Sequence, residues 1–170
     1  MNMKRSGSVL MWSVLWLFTA CPAWAQNPHC QQVGGALMTN IGVIPVGGPF
    51  GTNLGPVFGD LKGSVAATIL GENPDGTFNV QHYWVTASGD TIKLSVAHLT
   101  PAYPVPDNKN IVAVLWGNYR SVIKGGTGKF LNATGYLDYF GAADFSQQTL
   151  VLRYRGQVCY GDDKAETSGD

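Results

Sequence analysis

His82 and His98 are the side chains of this sequence best suited to moving a proton, because an imidazole changes charge near neutral pH. Each sits in a run of alternating residues. Phe78, Val80, His82 and Trp84 share one face of an extended segment, and Ile92, Leu94, Val96 and His98 share one face of the next. If those faces point inward, both imidazoles lie in an apolar interior, either as acid–base groups or as core histidines held by their neighbours. Arg120 and Asp138 read as outward-facing or paired on the surface. Tyr83, Trp84 and Trp116 could line a cavity, although aromatic residues in strands usually just pack. Metal chemistry has little to work with. There is no C-x-x-C pair and no cluster of histidines, and His29 beside Cys30 lacks further ligands nearby.

The elements that would position these groups read as strands. Apolar runs with few helical repeats span Val57 to Leu70, Thr77 to Thr86, Thr91 to Thr100, Ile111 to Ile123, Phe130 to Phe140 and Thr149 to Tyr160. Asn73-Pro74-Asp75-Gly76 is turn chemistry, and Ser88-Gly89-Asp90 is a hairpin tip. In the last run Leu150, Leu152, Tyr154 and Val158 oppose Arg153, Arg155 and Gln157. Residues 26–55 are rich in glycine and proline and read as an N-terminal arm with one strand at most, able to add one or two to the sheet. Residues 56–160 form the β domain, and 161–170 a polar tail. Six strands on short connections predict an all-β antiparallel meander, and closure into a barrel would remove its exposed edges.

The N-terminus predicts export. Lys4 and Arg5 precede an apolar run from Val9 to Phe18, and Ala23-Trp24-Ala25 is a small-residue cleavage pattern, so residues 1–25 read as a signal peptide. The run is short of the roughly 20 apolar residues that span a bilayer. An alternative is a lipid anchor at Cys21, since Thr19-Ala20-Cys21 resembles the end of a lipoprotein box, with Phe18 where leucine is usual. The remaining chain has nine basic and eleven acidic residues, and no basic stripe for a phosphate backbone, which argues against nucleic acid. Cleavage after Ala25 leaves Cys30 and Cys159, an even pair that reads as a disulfide in a secreted or periplasmic protein. Asn132-Ala133-Thr134 is a glycosylation sequon, relevant only in a eukaryotic secretory pathway.

Val122-Ile123-Lys124-Gly125-Gly126-Thr127-Gly128-Lys129-Phe130, with Ala133, Gly135 and Tyr136 beyond it, resembles the glycine-rich segment of dirigent proteins, which belong with allene oxide cyclases in one β-barrel superfamily. Ser88 to Leu94 resembles the hairpin before that segment, and Thr149 to Val158 the closing strand after it. The glycines are structural: Gly125, Gly126 and Gly128 suit a tight turn with positive φ, and Gly135 suits a bend in a barrel strand. They lack the spacing of a phosphate cradle. The resemblance implies an up-and-down barrel of about eight strands, often oligomeric, with an apolar cavity and no bound cofactor.

Three uses of such a barrel are open. The leading one is a carrier or binding protein for an apolar or aromatic small molecule, lined by Phe78, Val80, Trp84, Leu94, Val96, Trp116 and Tyr154. The second is a cofactor-free cyclase or isomerase, or a dirigent-type protein steering a reactive intermediate, with His82 and His98 as catalytic groups. The third is a structural or interaction domain whose barrel is filled with side chains.

Overall fold

Strands with one apolar face have to bury it, and here they do so around a common axis. The computed structural model describes residues 29–42, 50–100, 104–105, 107–115 and 117–161. The expected signal peptide (1–25) with Cys21, Trp116, and all but the first residue of the expected tail at 161–170 lie outside the described residues. The strands are β1 (Cys30–Asn40), β2 (Thr52–Gly59), β3 (Gly63–Glu72), β4 (Phe78–Thr86), β5 (Thr91–Leu94), β6 (Ala97–Leu99), β7 (Pro104–Val105), β8 (Asn108–Val114), β9 (Tyr119–Gly126), β10 (Thr134–Asp144) and β11 (Thr149–Cys159). A 3₁₀ turn, Gly128–Phe130, joins β9 to β10.

All pairings between strands are antiparallel, and they form a ring. Neighbours run β4–β3–β2–β1–β11–β10–β9, and β5 and β6 bridge β9 back to β4. Strands β5 and β6 are two parts of one stave. So are β8 and β9, which pair with the two halves of β10. The result is a closed antiparallel barrel of eight staves, and closure leaves no free sheet edge in the ring. Strand β7 pairs with β8 outside the ring.

The first and last strands close it. Strand β1 pairs with β11 over eleven rungs, from Cys30 opposite Cys159 to Asn40 opposite Thr149, and the Cys30–Cys159 disulfide is the terminal rung. The expected disulfide is thus a lock on the closing seam. The stretch 26–55, expected as an arm, supplies β1 whole and the start of β2. Its glycines read as loop but are needed for packing. A Cβ on Gly35 would lie 2.0 Å from Phe58 O and 2.7 Å from the Tyr154 ring. Gly35→Ala is therefore expected to cost about 1–3 kcal/mol, checked by urea denaturation, because neither backbone nor ring can retreat from a packed wall.

Three long runs break where continuous strands were expected, 91–100 among them, which divides into β5 and β6. Residues 57–70 fold back at the 60–62 turn into β2 and β3, and 111–123 is interrupted between β8 and β9. The last expected strand but one, Phe130 to Phe140, starts later: Phe130 belongs to the 3₁₀ turn and plugs the core, and β10 begins at Thr134.

The disulfide end of the barrel is solid. The 60–62 turn tucks Leu61 under the staves, where Trp84 Nε1 donates to Leu61 O (2.9 Å) and Leu61 N donates to Tyr154 Oη (2.9 Å). Tyr154 Oη in turn donates to Phe58 O (3.1 Å). The Trp84 and Tyr154 rings meet edge to face at 5.2 Å. Val33, Val65, Ile92, Ile123, Leu137 and Val158 fill the space around them. Leu61 holds both its backbone groups in bonds to inward side chains, so the turn is fixed to the wall it plugs.

Candidate functional site at the open end of the barrel

The other half of the lumen keeps a small cavity of about 50 Å³, lined by Leu37, Thr39, Asn53, Val80, His82 and Tyr119 among others. It lies toward the ends of β1, β4 and β11 remote from the disulfide. An eight-strand barrel is just wide enough to be filled by side chains or to admit one small ligand. This one is filled at its base and narrowly open above.

Alternation along β4 holds as read from sequence, and it carries His82 inward. The ring is 3% exposed and every polar atom it has is engaged. Tyr119 Oη lies 2.7 Å from His82 Nε2, and Ser121 Oγ lies 3.2 Å from Nδ1. Tyr139 stacks on the imidazole at 4.8 Å and packs on Tyr119 at 4.9 Å. Strand β9 supplies Tyr119 and Ser121, two residues apart on one face, and β10 supplies Tyr139. Three staves thus converge on one imidazole.

Burial sets the protonation of the group. Desolvation lowers the His82 pKa from 6.5 to about 4, so the ring is neutral at physiological pH. Burial likewise pushes the Tyr119 and Tyr139 phenols well above their ordinary range, which keeps them protonated. A neutral imidazole donates from one nitrogen and accepts at the other, and both its partners are hydroxyls able to take either role. The trio can therefore pass hydrogen-bond polarity along Tyr119–His82–Ser121 in either direction without burying a charge.

A stability prediction follows from the His82 shift. Between pH 6.5 and about 4 the unfolded chain binds a proton that the folded protein does not. His82 therefore contributes stability fully above pH 6.5, and the protein loses up to about 3 kcal/mol of it as pH falls toward 4. Urea midpoints measured from pH 7.5 to 4 should show this decline, and His82→Gln should flatten it.

His98 was expected on the same inner face and is not there. Residues Ser95 and Val96 both stand opposite Gln81, since Val80 pairs with Ala97 while Tyr83 pairs with Lys93. This bulge adds one residue and reverses the facing of everything after it. Gln81 Nε2 donates to Leu94 O (3.0 Å) across the break, and Ser95 Oγ accepts from Val122 N (3.0 Å). Ala97 takes the inward position, His98 is exposed, and Val96 is 40% exposed. His98 lies on the outer face between Asn79 and Arg120.

The expected lining set divides in the same way. Val80 lines the cavity. Phe78 packs half-buried near it, edge to face with Phe50 at 5.7 Å. Trp84, Leu94 and Tyr154 are buried core residues of the filled base, away from the cavity. Val96 faces solvent, and Trp116 is outside the described residues. Sequence reasoning missed Tyr119, Ser121 and Tyr139, although alternation from Ile123 backward along β9 puts Ser121 and Tyr119 inward.

The motif glycines serve the turn at the disulfide end. Gly125 (φ 93°) and Gly128 (φ 52°) hold the positive φ expected of the turn, and Gly135, expected at a bend, holds φ 130°. Gly126 does not; a Cβ there would sit 2.0 Å from Thr91 O, so its role is close approach of β9 to β5. On the outer face Arg120 and Asp138 pair with each other, Nε to Oδ1 at 2.5 Å and Nη2 to Oδ2 at 2.7 Å, with Arg120 over the Tyr136 ring. The Asp138 hydrogen bonds raise the Arg120 pKa. Arg120 is 55% exposed but Asp138 only 3%, so the guanidinium caps a buried carboxylate that would be left uncompensated without it.

Among the described residues no group of three His, Cys, Asp or Glu side chains is placed to hold a metal ion. No helix among them is long and apolar enough to cross a membrane. No family model matches the sequence. No curated protein matches it either. Two similar solved structures are dirigent proteins. One is the pterocarpan synthase dirigent protein GePTS1, at 16% identity over 85% of this chain and 98% of that chain, with a TM-score of 0.29. Another is the pterocarpan synthase dirigent protein PsPTS1, at 14% identity over 79% of this chain and 97% of that chain, with a TM-score of 0.33. The eight-stave closure is read from the strand pairings alone.

Proposed function

We propose that this chain is an exported binding barrel that takes one end of a small molecule into its open mouth and leaves the rest outside. The observation that carries the reading is the cavity: about 50 Å³, at one end of a barrel whose other end is packed solid. Pockets that enclose a drug-sized ligand measure about 300–1,000 Å³. A carrier that swallows an apolar molecule is thus too large a claim for this lumen, and gripping one end fits it. The disulfide supports the export half of the proposal, since such bonds persist in oxidising compartments.

A second reading has its own observation. Tyr119, His82 and Ser121 form a neutral hydrogen-bonded chain reaching the cavity wall, which suits cofactor-free proton transfer to a bound intermediate. Steering of the dirigent type would add only the positioning of the substrate.

Native mass spectrometry of the purified protein, followed by solvent extraction, tests binding. A co-purifying small molecule is expected in the wild type and should be lost in Val80→Phe, which fills the cavity without touching the base. A protein that carries no ligand and gains no thermal stability from small aromatic compounds would leave the filled, structural barrel as the remaining reading.

A further inference from the structure

Among the described residues, two buried hydroxyls of the upper barrel find no hydrogen-bond partner: Thr39 Oγ1 and Tyr139 Oη. Ser121 stands close to the Tyr139 hydroxyl. Thr39 stands at the cavity instead. It is 5% exposed, on the inward face of β1 with Leu37, and it lines the cavity. A buried polar atom left unpaired forfeits its hydration, which native proteins rarely tolerate without use. The hydroxyl of Thr52, by contrast, is met by that of Thr68 across β2 and β3 at 2.8 Å.

The charge of the lining narrows the chemistry. Among the described residues the cavity is walled by apolar side chains, Thr39, Asn53, Tyr119 and a neutral His82, with no lysine, arginine, aspartate or glutamate. A carboxylate or ammonium entering it would be desolvated without a counter-charge. The volume is about 50 Å³, whereas a cavity of about 150 Å³ is known to accept a benzene ring. Only the tip of a ring-sized molecule enters.

Resting on the binding reading above, we infer that the mouth selects a neutral hydroxyl or carbonyl group at the tip of its ligand, and that Thr39 is the residue that reads it. Thr39 Oγ1 can donate to either group and accept from a hydroxyl. Asn53 stands beside it at the same end, its Oδ1 already held by Gly42 N at 2.7 Å, so the amide is fixed in place as the neighbouring polar wall. The ligand class is therefore a neutral alcohol, phenol or ketone, presented tip first, with an apolar body.

The test uses the full mature chain and three probes of similar shape: phenol, toluene and benzoate. Affinities come from calorimetry or from chemical-shift titration, for wild type, Thr39→Val and Thr39→Ser. Phenol is expected to bind at least tenfold tighter than toluene, and benzoate not to bind measurably. Thr39→Val should bring phenol down to the toluene level while leaving the free protein as stable as the wild type or more so, and Thr39→Ser should restore the preference. Equal binding of phenol and toluene, or a preference untouched in Thr39→Val, overturns the role of Thr39 while leaving the binding reading standing. Tight benzoate binding overturns the neutral-tip selection. Failure of all three probes to bind overturns both.

Discussion

Replacing Cys30 and Cys159 together by serine is expected to lower unfolding free energy by up to about 4–5 kcal/mol, the chain-entropy value for a loop of this order. The bond joins residues 129 apart, so in the unfolded chain it closes nearly the whole domain. In the folded state it adds little geometry, because Cys30 and Cys159 already face each other as a rung of the β1–β11 seam. The loss should therefore be less than the full entropic figure wherever the unfolded chain keeps residual structure. Urea denaturation of the oxidised protein and the double serine variant measures it. A second signature is local. The seam has no turn to hold its disulfide end, so amide exchange should quicken first at Cys30–Val33 and Gly156–Cys159. A change below 1 kcal/mol with unaltered exchange would show that the eleven backbone rungs suffice.

Trp84→Ala is expected to cost about 3–5 kcal/mol and to leave ligand affinity unchanged. The ring is fully buried, meets Tyr154 edge to face, and donates to Leu61 O. Its removal opens a hole in the base and strands the Leu61 carbonyl of the tucked turn. Trp84→Phe separates the two parts: it keeps most of the packing and loses the hydrogen bond, for a cost nearer 1–3 kcal/mol. The unchanged affinity distinguishes base from mouth. If either variant weakens binding in proportion to its lost stability, the base is part of the pocket and the division of the lumen is wrong.

Much of this was legible in residues alone, for reasons that can be stated. Strands β4 and β11 carry unbroken period-two alternation, and their inward sets hold in the structure. The cysteine pairing followed from number and compartment, and the barrel from runs of short strands plus the glycine-rich resemblance. The losses have equally local causes. His98 and Val96 were misplaced by one extra residue at Ser95–Val96, and a bulge leaves no mark in composition. Strand β1 was hidden because Gly34-Gly35 looks like a turn when the Tyr154 ring that needs the space is far away in sequence. Trp84, Leu94 and Tyr154 do point inward, yet they line no cavity, because Leu61 arrives from a turn that read as mid-strand. Whether a barrel is hollow depends on the sum of all inward volumes, and alternation reports direction only.

The His82 site shows the same limit. Its inward facing was readable, but its partners come from β9 and β10, and that convergence belongs to the closed ring.

The central claim is that small molecules enter at the His82 end of a barrel closed at its disulfide end. The direct measurement is nuclear magnetic resonance of the His82 ring nitrogens and the Trp84 indole N–H during a phenol titration of the oxidised protein. The account predicts saturable shifts at His82, which lines the cavity, and none at Trp84, which lies in the packed base. Shifts at Trp84, or a silent His82 while phenol binds elsewhere, would contradict it.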